Sequence, residues 1–282
     1  MMKKELNNML ACPKCKNYPL ELKIFDRKNT EIINGELKCT GCSSVYPIID
    51  GVPRMIFQEL SDEWKILQDE YIDWIRKSGK ERISRHTQAI LKDFVKSLNI
   101  DGGKLLDIGS GDNFVGTILS NTEYYGVDPY IRNQIHPYPF IVAYGEYLPF
   151  RDEVFDYVII RATLDHVEDA AKVISEANRV LKTDGFLCIS QSVQECEGFK
   201  KKAKNLFYMF YEDGINAFTE LAEHLKGLLV KSKGKGHIRE YTKETLLSEF
   251  NSHNFEVIDV LVREEMYLKL RKVRGRGNER KI

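Results

Sequence analysis

The sequence predicts an α/β protein in which a doubly wound sheet follows a small module that contains cysteines. The first observation is the run 104–111, Lys-Leu-Leu-Asp-Ile-Gly-Ser-Gly, which has the pattern of a buried strand ending at a glycine turn. The second is a shorter strand that ends at Asp128, about 20 residues beyond Asp107, as in nucleotide-binding βαβ units. The third is a pair of Cys-x-x-Cys motifs within residues 12–42.

Length and charge limit the classes of protein to consider. With 282 residues, the chain is long enough to bury a substantial core in one large domain, or in a large and a small one. Its 42 basic and 42 acidic residues balance to zero net charge, which argues against a globally electrostatic nucleic-acid binder. No signal peptide and no apolar run of about 20 residues is evident, so we predict a cytoplasmic protein without a membrane span.

Four cysteines in two close pairs predict a metal site made of Cys12, Cys15, Cys39 and Cys42. Two such turns place four thiolates tetrahedrally around one ion. A segment this short has too small a hydrophobic core to fold without a metal ion or a cross-link. Zinc would then contribute to folding itself, with about 10–16 kcal/mol of apparent affinity in comparable sites. Disulfides are disfavoured by a reducing compartment, and a rubredoxin-like iron site has the same ligands. We predict a structural zinc ion.

The glycine turn indicates which ligand the sheet binds. Asp128 stands where a carboxylate holds ribose hydroxyls in a nucleotide-binding βαβ unit, so an adenosine-like group is expected. A dinucleotide motif requires a third glycine, but position 114 is Phe, and no P-loop lysine follows the turn. Dinucleotides and triphosphates are therefore disfavoured.

Three motifs resemble those of one family in the same order. Residues 107–111 resemble the acid-x-Gly-x-Gly motif of class I S-adenosylmethionine-dependent methyltransferases, although Asn113 replaces a small residue found in many members. Residues 146–150 resemble Glu-x-Leu-Pro-Phe, and residues 176–185 resemble Glu-Ala-x-Arg-Val-Leu-Lys-x-x-Gly. The resemblance covers about residues 80–272 and is to the ubiquinone/menaquinone-methyltransferase-like group. It implies a seven-stranded doubly wound Rossmann-like sheet and S-adenosylmethionine as the methyl donor.

The resemblance also implies which residues hold the donor. In the family, the first acid and the glycine turn hold the methionine part, and the acid after the second strand holds the ribose. Many relatives contact the adenine amine through an Asp where this chain has Tyr144, so we expect backbone groups at Gly145 and Glu146 to serve instead. The predicted cofactor-binding residues are Asp107, Gly109, Ser110, Gly111, Asp128, Gly145, Glu146 and Arg161.

Asp165 and His166 follow the fourth predicted strand, where the donor methyl group is expected to project. They are the candidate catalytic residues, because an imidazole can accept a proton near neutral pH. The alternative, which we favour, is that Asp165 caps the following helix and His166 only lines the rim of the site.

The remaining pattern places the other elements and the domain boundaries. Residues 59–99 have helical spacing, with a break at Ser78-Gly79, and a further helix is expected at Ala170–Leu181. Later strands are expected at 137–143, 155–160, 186–190, 254–260 and 266–270. We predict a zinc-ribbon domain at 1–57 and a methyltransferase domain at 58–282, with a helical linker at 58–99 and a lid insertion at 196–236.

The N-terminal segment has a resemblance of its own. Residues 10–15, 37–42 and 45–53 resemble the zinc-ribbon activator subunit of tRNA, rRNA and release-factor methyltransferases. In that family the ribbon is a separate subunit that stabilises its catalytic partner and does not bind the donor. Its presence in this chain implies that activator and partner are fused, and a generic zinc ribbon for folding or protein contact is the alternative.

The acceptor is predicted only as a small molecule or RNA. The ribbon favours RNA or a translation protein, and the methyltransferase core favours a small molecule. The lid insertion contains lysines near aromatic residues, namely Lys200, Lys201, Lys202 and Lys204. Such a pattern can bind a phosphate backbone and stack bases. We favour the alternative, an amphipathic lid with a solvated basic face. A non-catalytic scaffold or activator in translation-related methylation is the rival function, and the oligomeric state is left open.

Overall fold

The computed structural model describes residues 2–77, 85–111, 115–119, 121–130, 138–194, 238–251 and 253–274. Several predictions fall outside these ranges: the helix break at Ser78-Gly79, the residues Asn113 and Phe114, and the lid insertion at 196–236 with its lysines.

A small antiparallel sheet forms the N-terminal part of the chain. After the short helix α1 (Lys4–Asn7), four strands follow in the order β1 (Leu20–Lys28), β2 (Glu31–Cys39), β3 (Val45–Ile49) and β4 (Val52–Pro53). Alternating apolar residues in β1 and β2 face a core in which Leu20, Leu37 and Ile48 are buried. The four strands therefore form a small domain around the cysteine pairs.

A seven-stranded mixed sheet forms the larger part of the protein. Its strands are β5 (Lys104–Ile108), β6 (Glu123–Asp128), β7 (Phe140–Val142), β8 (Phe155–Arg161), β9 (Leu181–Gln191), β10 (Phe255–Val262) and β11 (Met266–Lys272). They lie in the order β10-β11-β9-β8-β5-β6-β7. Strands β5 to β9 pair in parallel, whereas β11 is antiparallel to both β9 and β10. This arrangement confirms the predicted fold class.

Helices cover both faces of the large sheet. The helices are α2 (Asp62–Lys77), α3 (Arg85–Leu98), α4 (Ala170–Val180) and α5 (Lys243–Ser248), and a 3₁₀ turn spans Gly145–Tyr147. Helix α3 buries Phe94 in the same cluster as Leu105 of β5, and α4 buries Val173 in the same cluster as Leu106. Because successive strand residues point to opposite faces, α3 and α4 lie on opposite sides of the sheet. Among the described residues, no helix is both long and apolar enough to cross a membrane.

One element boundary differs from the prediction. Helix α4 ends at Val180, one residue before the predicted end, and β9 begins at Leu181 rather than at Phe186. Leu181 pairs with Phe155 at the start of β8, and Asp184 adopts a left-handed conformation with φ of 66°. Asp184 and Gly185 therefore form an irregularity inside β9 and do not mark the end of the helix, because β9 already pairs with β8 at Leu181.

Backbone hydrogen bonds join the small sheet to the large one. The Met55 N–H donates to the Val142 carbonyl at 2.7 Å, and Arg54 forms a parallel bridge with Val142. On the other side, the Ala11 N–H donates to the Pro149 carbonyl at 3.0 Å. The chain after β4 thus lies beside β7, at the edge of the large sheet.

A buried ion-pair cluster strengthens the same junction. Lys16, directly after Cys15 in the ribbon, donates to the Glu176 carboxylate of α4 at 2.6 Å. Arg179, one turn further along α4, binds Glu176 and also donates to the Phe150 carbonyl at 2.7 Å. These two cations hold the pKa of Glu176 below its usual value despite burial, which would raise it. The division at residues 57 and 58 stays a prediction, since one core cluster includes residues from both parts.

Candidate active site and metal centre

The four predicted metal ligands lie together in the ribbon. The Sγ atoms of Cys12, Cys15, Cys39 and Cys42 are all within 4.8 Å of one another. The Cys12–Cys42 Sγ separation is 3.6 Å, and the Cys15–Cys39 separation is 3.5 Å. A tetrahedron with zinc–sulfur bonds of about 2.3 Å has edges of about 3.8 Å, so these distances fit a zinc ion.

Neighbouring hydroxyls orient the thiolates. The Tyr46 hydroxyl lies 3.1 Å from the Cys12 Sγ, and the Ser44 Oγ lies 3.2 Å from the Cys42 Sγ. Cys12 and Cys39 are fully buried, whereas Cys15 is exposed. The set is a closed group of four protein ligands with supporting contacts, as in structural rather than catalytic zinc sites.

The glycine turn after β5 is built for close packing. Gly109 and Gly111 have positive φ angles of 73° and 50°. A Cβ on Gly109 would lie 2.3 Å from the Oγ1 of Thr163, which follows β8. Only glycine therefore fits at position 109, because both the conformation and the space exclude a side chain. The turn is tied to β6 through the Gly109 N–H, which donates to the Val127 carbonyl at 2.8 Å.

Asp107 is a buried acid below this turn. It is only 3% exposed, and it accepts a short hydrogen bond from the Tyr124 hydroxyl of β6. Burial raises the pKa of Asp107 to about 7, although the Tyr124 hydroxyl and the nearby Arg161 guanidinium oppose this shift. The carboxyl group is therefore poised to exist in both protonation states near neutral pH.

Asp128 ends β6 beside the glycine turn. Its Oδ2 accepts from the Gly111 N–H at 3.0 Å, and its Oδ1 accepts from the Tyr130 N–H at 2.9 Å. The glycine turn after β5 and the end of β6 are therefore directly bonded to each other. A carboxylate at this place is the group that accepts the ribose hydroxyls in nucleotide-binding βαβ units.

Gly145 and Glu146 lie in the 3₁₀ turn after β7. The Glu146 carboxylate points to the start of α4, where its Oε1 accepts from the N–H groups of Glu168 at 3.0 Å and Asp169 at 3.4 Å. Burial raises the pKa of Glu146, and these backbone donors oppose that shift. The side chain thus anchors α4, and a contact from this turn to a ligand would come from the backbone.

Arg161 stands at the end of β8. Its Nη2 lies 3.5 Å from the Glu265 Oε1, in the turn before β11, and Glu265 also accepts a short hydrogen bond from Ser190 of β9. The next residue, Ala162, has a left-handed φ of 45°, a conformation that costs free energy for a residue with a Cβ. Backbone strain of this kind concentrates at functional sites.

Asp165 and His166 occupy the loop before α4, and one interpretation of them is wrong. The N-cap of α4 is Asp169, whose Oδ1 accepts from the Lys172 N–H at 3.0 Å. Asp165 therefore does not cap this helix, since it lies four residues too early and is buried at 5% exposure. The helix begins at Ala170, as predicted, so its N-cap position is Asp169.

Several residues that fix this loop were not singled out by sequence reasoning. Arg239 donates to the backbone carbonyls of Leu164 and Val167, each at 2.9 Å, and to that of Glu168 at 2.8 Å. From α2, the Trp64 Nε1 donates to the His166 carbonyl at 2.8 Å. No motif marks these contacts, and the helical spacing of Trp64 predicts a packing face but not its partner.

A cavity of about 490 Å³ adjoins the start of α4. Its lining mixes acidic and basic side chains, among them Glu168, Lys172, Arg239 and Glu249. Of the predicted donor-binding residues, only Glu146 contributes to this lining. The glycine turn and Asp128 are therefore not part of its lining.

Comparisons with known proteins find matches for both parts of the chain. Residues 106–189 match the family described as "Methyltransferase domain", and residues 3–51 match the family described as "Trm112p-like protein". The ubiquinone/menaquinone biosynthesis C-methyltransferase of Rickettsia felis is 27% identical over 178 residues, covering 58% of this chain and 68% of that protein. An uncharacterised protein of Methanocaldococcus jannaschii is 37% identical over 98 residues, covering 33% of this chain and 46% of that protein.

A solved structure has the same fold. The Burkholderia thailandensis 1,6-didemethyltoxoflavin-N1-methyltransferase, with bound 1,6-didemethyltoxoflavin and S-adenosylhomocysteine, superposes with a TM-score of 0.54 at 13% identity. The alignment covers 90% of this chain and all of that one. The sheet order, the glycine turn and the family match together show that the chain contains a methyltransferase domain with the fold of S-adenosylmethionine-dependent enzymes. More particularly, this domain follows a Trm112p-like segment whose four cysteines lie together as in a zinc ribbon.

Proposed function

We propose that the chain transfers the methyl group of S-adenosylmethionine to a small organic acceptor. The observation that supports this acceptor class is the similarity, over 58% of the chain, to a C-methyltransferase named for ubiquinone and menaquinone biosynthesis. The donor would lie across the carboxyl ends of β5, β6 and β7, where ligands bind in open α/β sheets.

In this proposal the two strand ends hold the two halves of the donor. Asp128 accepts from the ribose hydroxyls, because Gly111 and Tyr130 already fix the direction of its carboxylate. Asp107, Gly109, Ser110 and Gly111 hold the methionine part, at the turn that the packing of Gly109 against Thr163 keeps in place. The Arg161 guanidinium supplies positive charge for the donor carboxylate, and Glu265 holds the guanidinium in place.

The adenine base of the donor would lie beyond β7, against the turn that contains Gly145 and Glu146. Because the Glu146 side chain is bonded to the start of α4, the turn offers its backbone to the base. Tyr144, which stands where many relatives have an Asp, is buried at 8% exposure, and burial raises its pKa to about 12. It is therefore a neutral aromatic neighbour of the base.

The protein's contribution to the reaction would be alignment. The donor supplies an electrophilic methyl group on a positively charged sulfur, and the acceptor atom must approach in line with the carbon–sulfur bond. Holding two reactants in such a geometry is worth about 7–11 kcal/mol in favourable cases. The strained Ala162 turn and the loop held by Arg239 give the acceptor side of the site a fixed wall.

His166 is proposed as the group that accepts a proton where the acceptor must lose one. Its ring lies against Tyr71, with ring centroids 4.7 Å apart, and its carbonyl is held by Trp64 and Gln68 at 2.8 and 3.1 Å. An imidazole with a fixed backbone can serve as a general base near neutral pH.

A second acceptor class is supported by the ribbon. The match of residues 3–51 to the Trm112-like family favours RNA or a translation protein as acceptor. In either case the zinc ion would hold the ribbon folded and the ribbon would brace β7 through Met55. We further propose a cytoplasmic location, because four reduced thiols are the ligand set of the metal site.

One experiment separates these functions. The purified protein is incubated with methyl-labelled donor and cell lysate, and label is measured in the organic-soluble, RNA and protein fractions. Label in the organic fraction supports the small acceptor, and label in RNA or protein supports the second class instead. Donor binding without label in any fraction contradicts catalysis and supports a scaffold. The Asp128→Ala variant is the control for background transfer.

A further inference from the structure

We propose that Trp64 of α2 stacks on the purine base of the methyl donor and is a specificity-determining residue for it. The inference rests on the proposed donor orientation, and it adds a residue from the segment predicted as a helical linker. Three observations support it: where Trp64 lies, how its ring is fixed, and which other groups at that place could recognise a base.

Trp64 covers the place where β6 and β7 end together. Asp128 and Val142 are register partners in the parallel pair, so Tyr130 and Tyr144 lie two residues beyond the same sheet edge. The Trp64 ring is nearly parallel to that of Tyr130, at 19° with centroids 6.4 Å apart. It also meets the edge of Tyr144 at 88° and 5.4 Å. Three aromatic rings thus surround the base end of the proposed donor site.

The orientation of the Trp64 ring is fixed by hydrogen bonding. Its Nε1 donates to the His166 carbonyl at 2.8 Å, and Gln68, one helical turn later, donates to the same carbonyl at 3.1 Å. Trp64 is only 5% exposed and Gln68 only 4%. At this exposure the ring has no open face, so a base would stack on it in place of the Tyr130 ring, and the fixed orientation of Trp64 lowers the entropic cost of that contact.

Charged groups at this place are already engaged. Glu146 accepts from the Glu168 and Asp169 N–H groups, and Asp128 accepts from Gly111 and Tyr130. Position 144 has a neutral phenol instead of a carboxylate. Recognition of the base by aromatic surface together with backbone groups is therefore the chemistry that the described residues offer.

Trp64 provides its own reporter for the test. The chain has two tryptophans, so the Trp74→Phe variant leaves Trp64 as the single emitter. S-adenosylhomocysteine is titrated into this variant while fluorescence is recorded, and the same ligand is titrated in a calorimeter. We expect a saturable change in Trp64 emission with the same midpoint as the heat signal. Binding heat with unchanged emission overturns the inference and leaves the proposed function standing.

Substitutions of Trp64 separate stacking from a merely structural role. Trp64→Leu is expected to weaken S-adenosylhomocysteine about 10- to 100-fold, and Trp64→Phe, which keeps a ring but has no N–H, only a few-fold. Equal losses in both variants would show that the bond to His166 matters rather than the ring, and would overturn the inference. The affinity for 5′-methylthioadenosine must fall by the same factor in each variant, because this compound has the same adenine base. Absence of binding to the wild-type protein would overturn the proposed function and this inference together.

Discussion

Asp128 at the end of β6 accepts a hydrogen bond from the Gly111 N–H at 3.0 Å, so the glycine turn after β5 and the end of β6 are bonded to each other. The same carboxylate accepts from the Tyr130 N–H at 2.9 Å. Two backbone donors thus aim one buried acid before any ligand arrives, and the cost of orienting it is met during folding.

Asp128→Ala is expected to weaken S-adenosylhomocysteine by about 10- to 100-fold, because hydrogen bonds to a charged group contribute about 1.5–3 kcal/mol. Calorimetric titration measures the change. Asp101→Ala, at an exposed position before β5, is the matched control and should bind like the wild-type protein. An unchanged affinity in Asp128→Ala would exclude this residue from the ribose site.

Gly109→Ala is expected to destabilise the fold by about 1–3 kcal/mol and to abolish donor binding. The new Cβ would meet the Thr163 Oγ1 at 2.3 Å, in a backbone conformation that favours glycine. Urea unfolding measures the stability. Adding Thr163→Ala should recover part of the loss, since it removes the clash but not the backbone strain. A double variant no better than the single one would contradict the steric explanation.

Asp107 is expected to make stability fall as pH rises. The pKa of this acid is raised in the folded state to about 7 from 3.8, so the folded protein binds more protons than the unfolded chain between those values. Stability from this group is therefore fully present below about pH 4 and is lost as pH rises through about 7. The comparison is between wild type and Asp107→Asn, unfolded with urea at pH 5 and pH 8.

The stability of the Asn variant relative to the wild-type protein should rise between pH 5 and pH 8 and should change little above that range. Tyr124→Phe should move the fall in stability to higher pH, because the Tyr124 hydroxyl lowers the pKa of Asp107. If both variants follow the wild-type pH profile, the acid does not titrate in this range.

Arg179→Met is expected to destabilise the protein by about 3–5 kcal/mol, because it leaves the buried Glu176 without its main partner. Lys16→Met should cost only about 1 kcal/mol, since Arg179 still binds Glu176. Asp152→Asn is the control, because that carboxylate is 71% exposed. Thermal unfolding compares the three. Equal effects of the two cations would show that Glu176 depends on Lys16 as much as on Arg179.

Cys39→Ser is expected to lose zinc and to unfold the ribbon. Metal analysis of the purified protein should find one zinc ion per chain in the wild type and much less in the variant, and limited proteolysis should cleave first within residues 11–57. Cys188→Ser is the control, because Cys188 is buried in β9 away from the four ligands. Full zinc content in Cys39→Ser would contradict the four-cysteine site.

The sequence predicted the parts of this molecule that depend on local pattern. Buried strands such as 104–108 have continuous apolar runs, and the Cys-x-x-Cys pairs define a ligand set whatever the surrounding fold. The glycines at 109 and 111 marked the turn because few other residues reach that conformation. In each case the physical cause lies within a few residues of the signal.

Contacts between distant segments were not predicted. Tyr124 meets Asp107, Arg239 holds the loop around Val167, and Trp64 holds His166, yet each of these residues has an ordinary local pattern. The cap of α4 was assigned to Asp165 rather than Asp169 because several acids precede the helix, and only the register of the helix decides between them. Tertiary packing sets that register, and the pattern of one segment does not contain it.

The bond from Met55 to Val142 has a consequence for the behaviour of the protein without metal. Strand β7 is the last strand of its sheet, and a strand in that position exposes unsatisfied amide and carbonyl groups that attract other chains. The segment after β4 shields them only while the ribbon keeps its shape. Removal of zinc would thus expose β7 as an edge strand that can pair with other chains. We expect the protein to self-associate when a chelator is added.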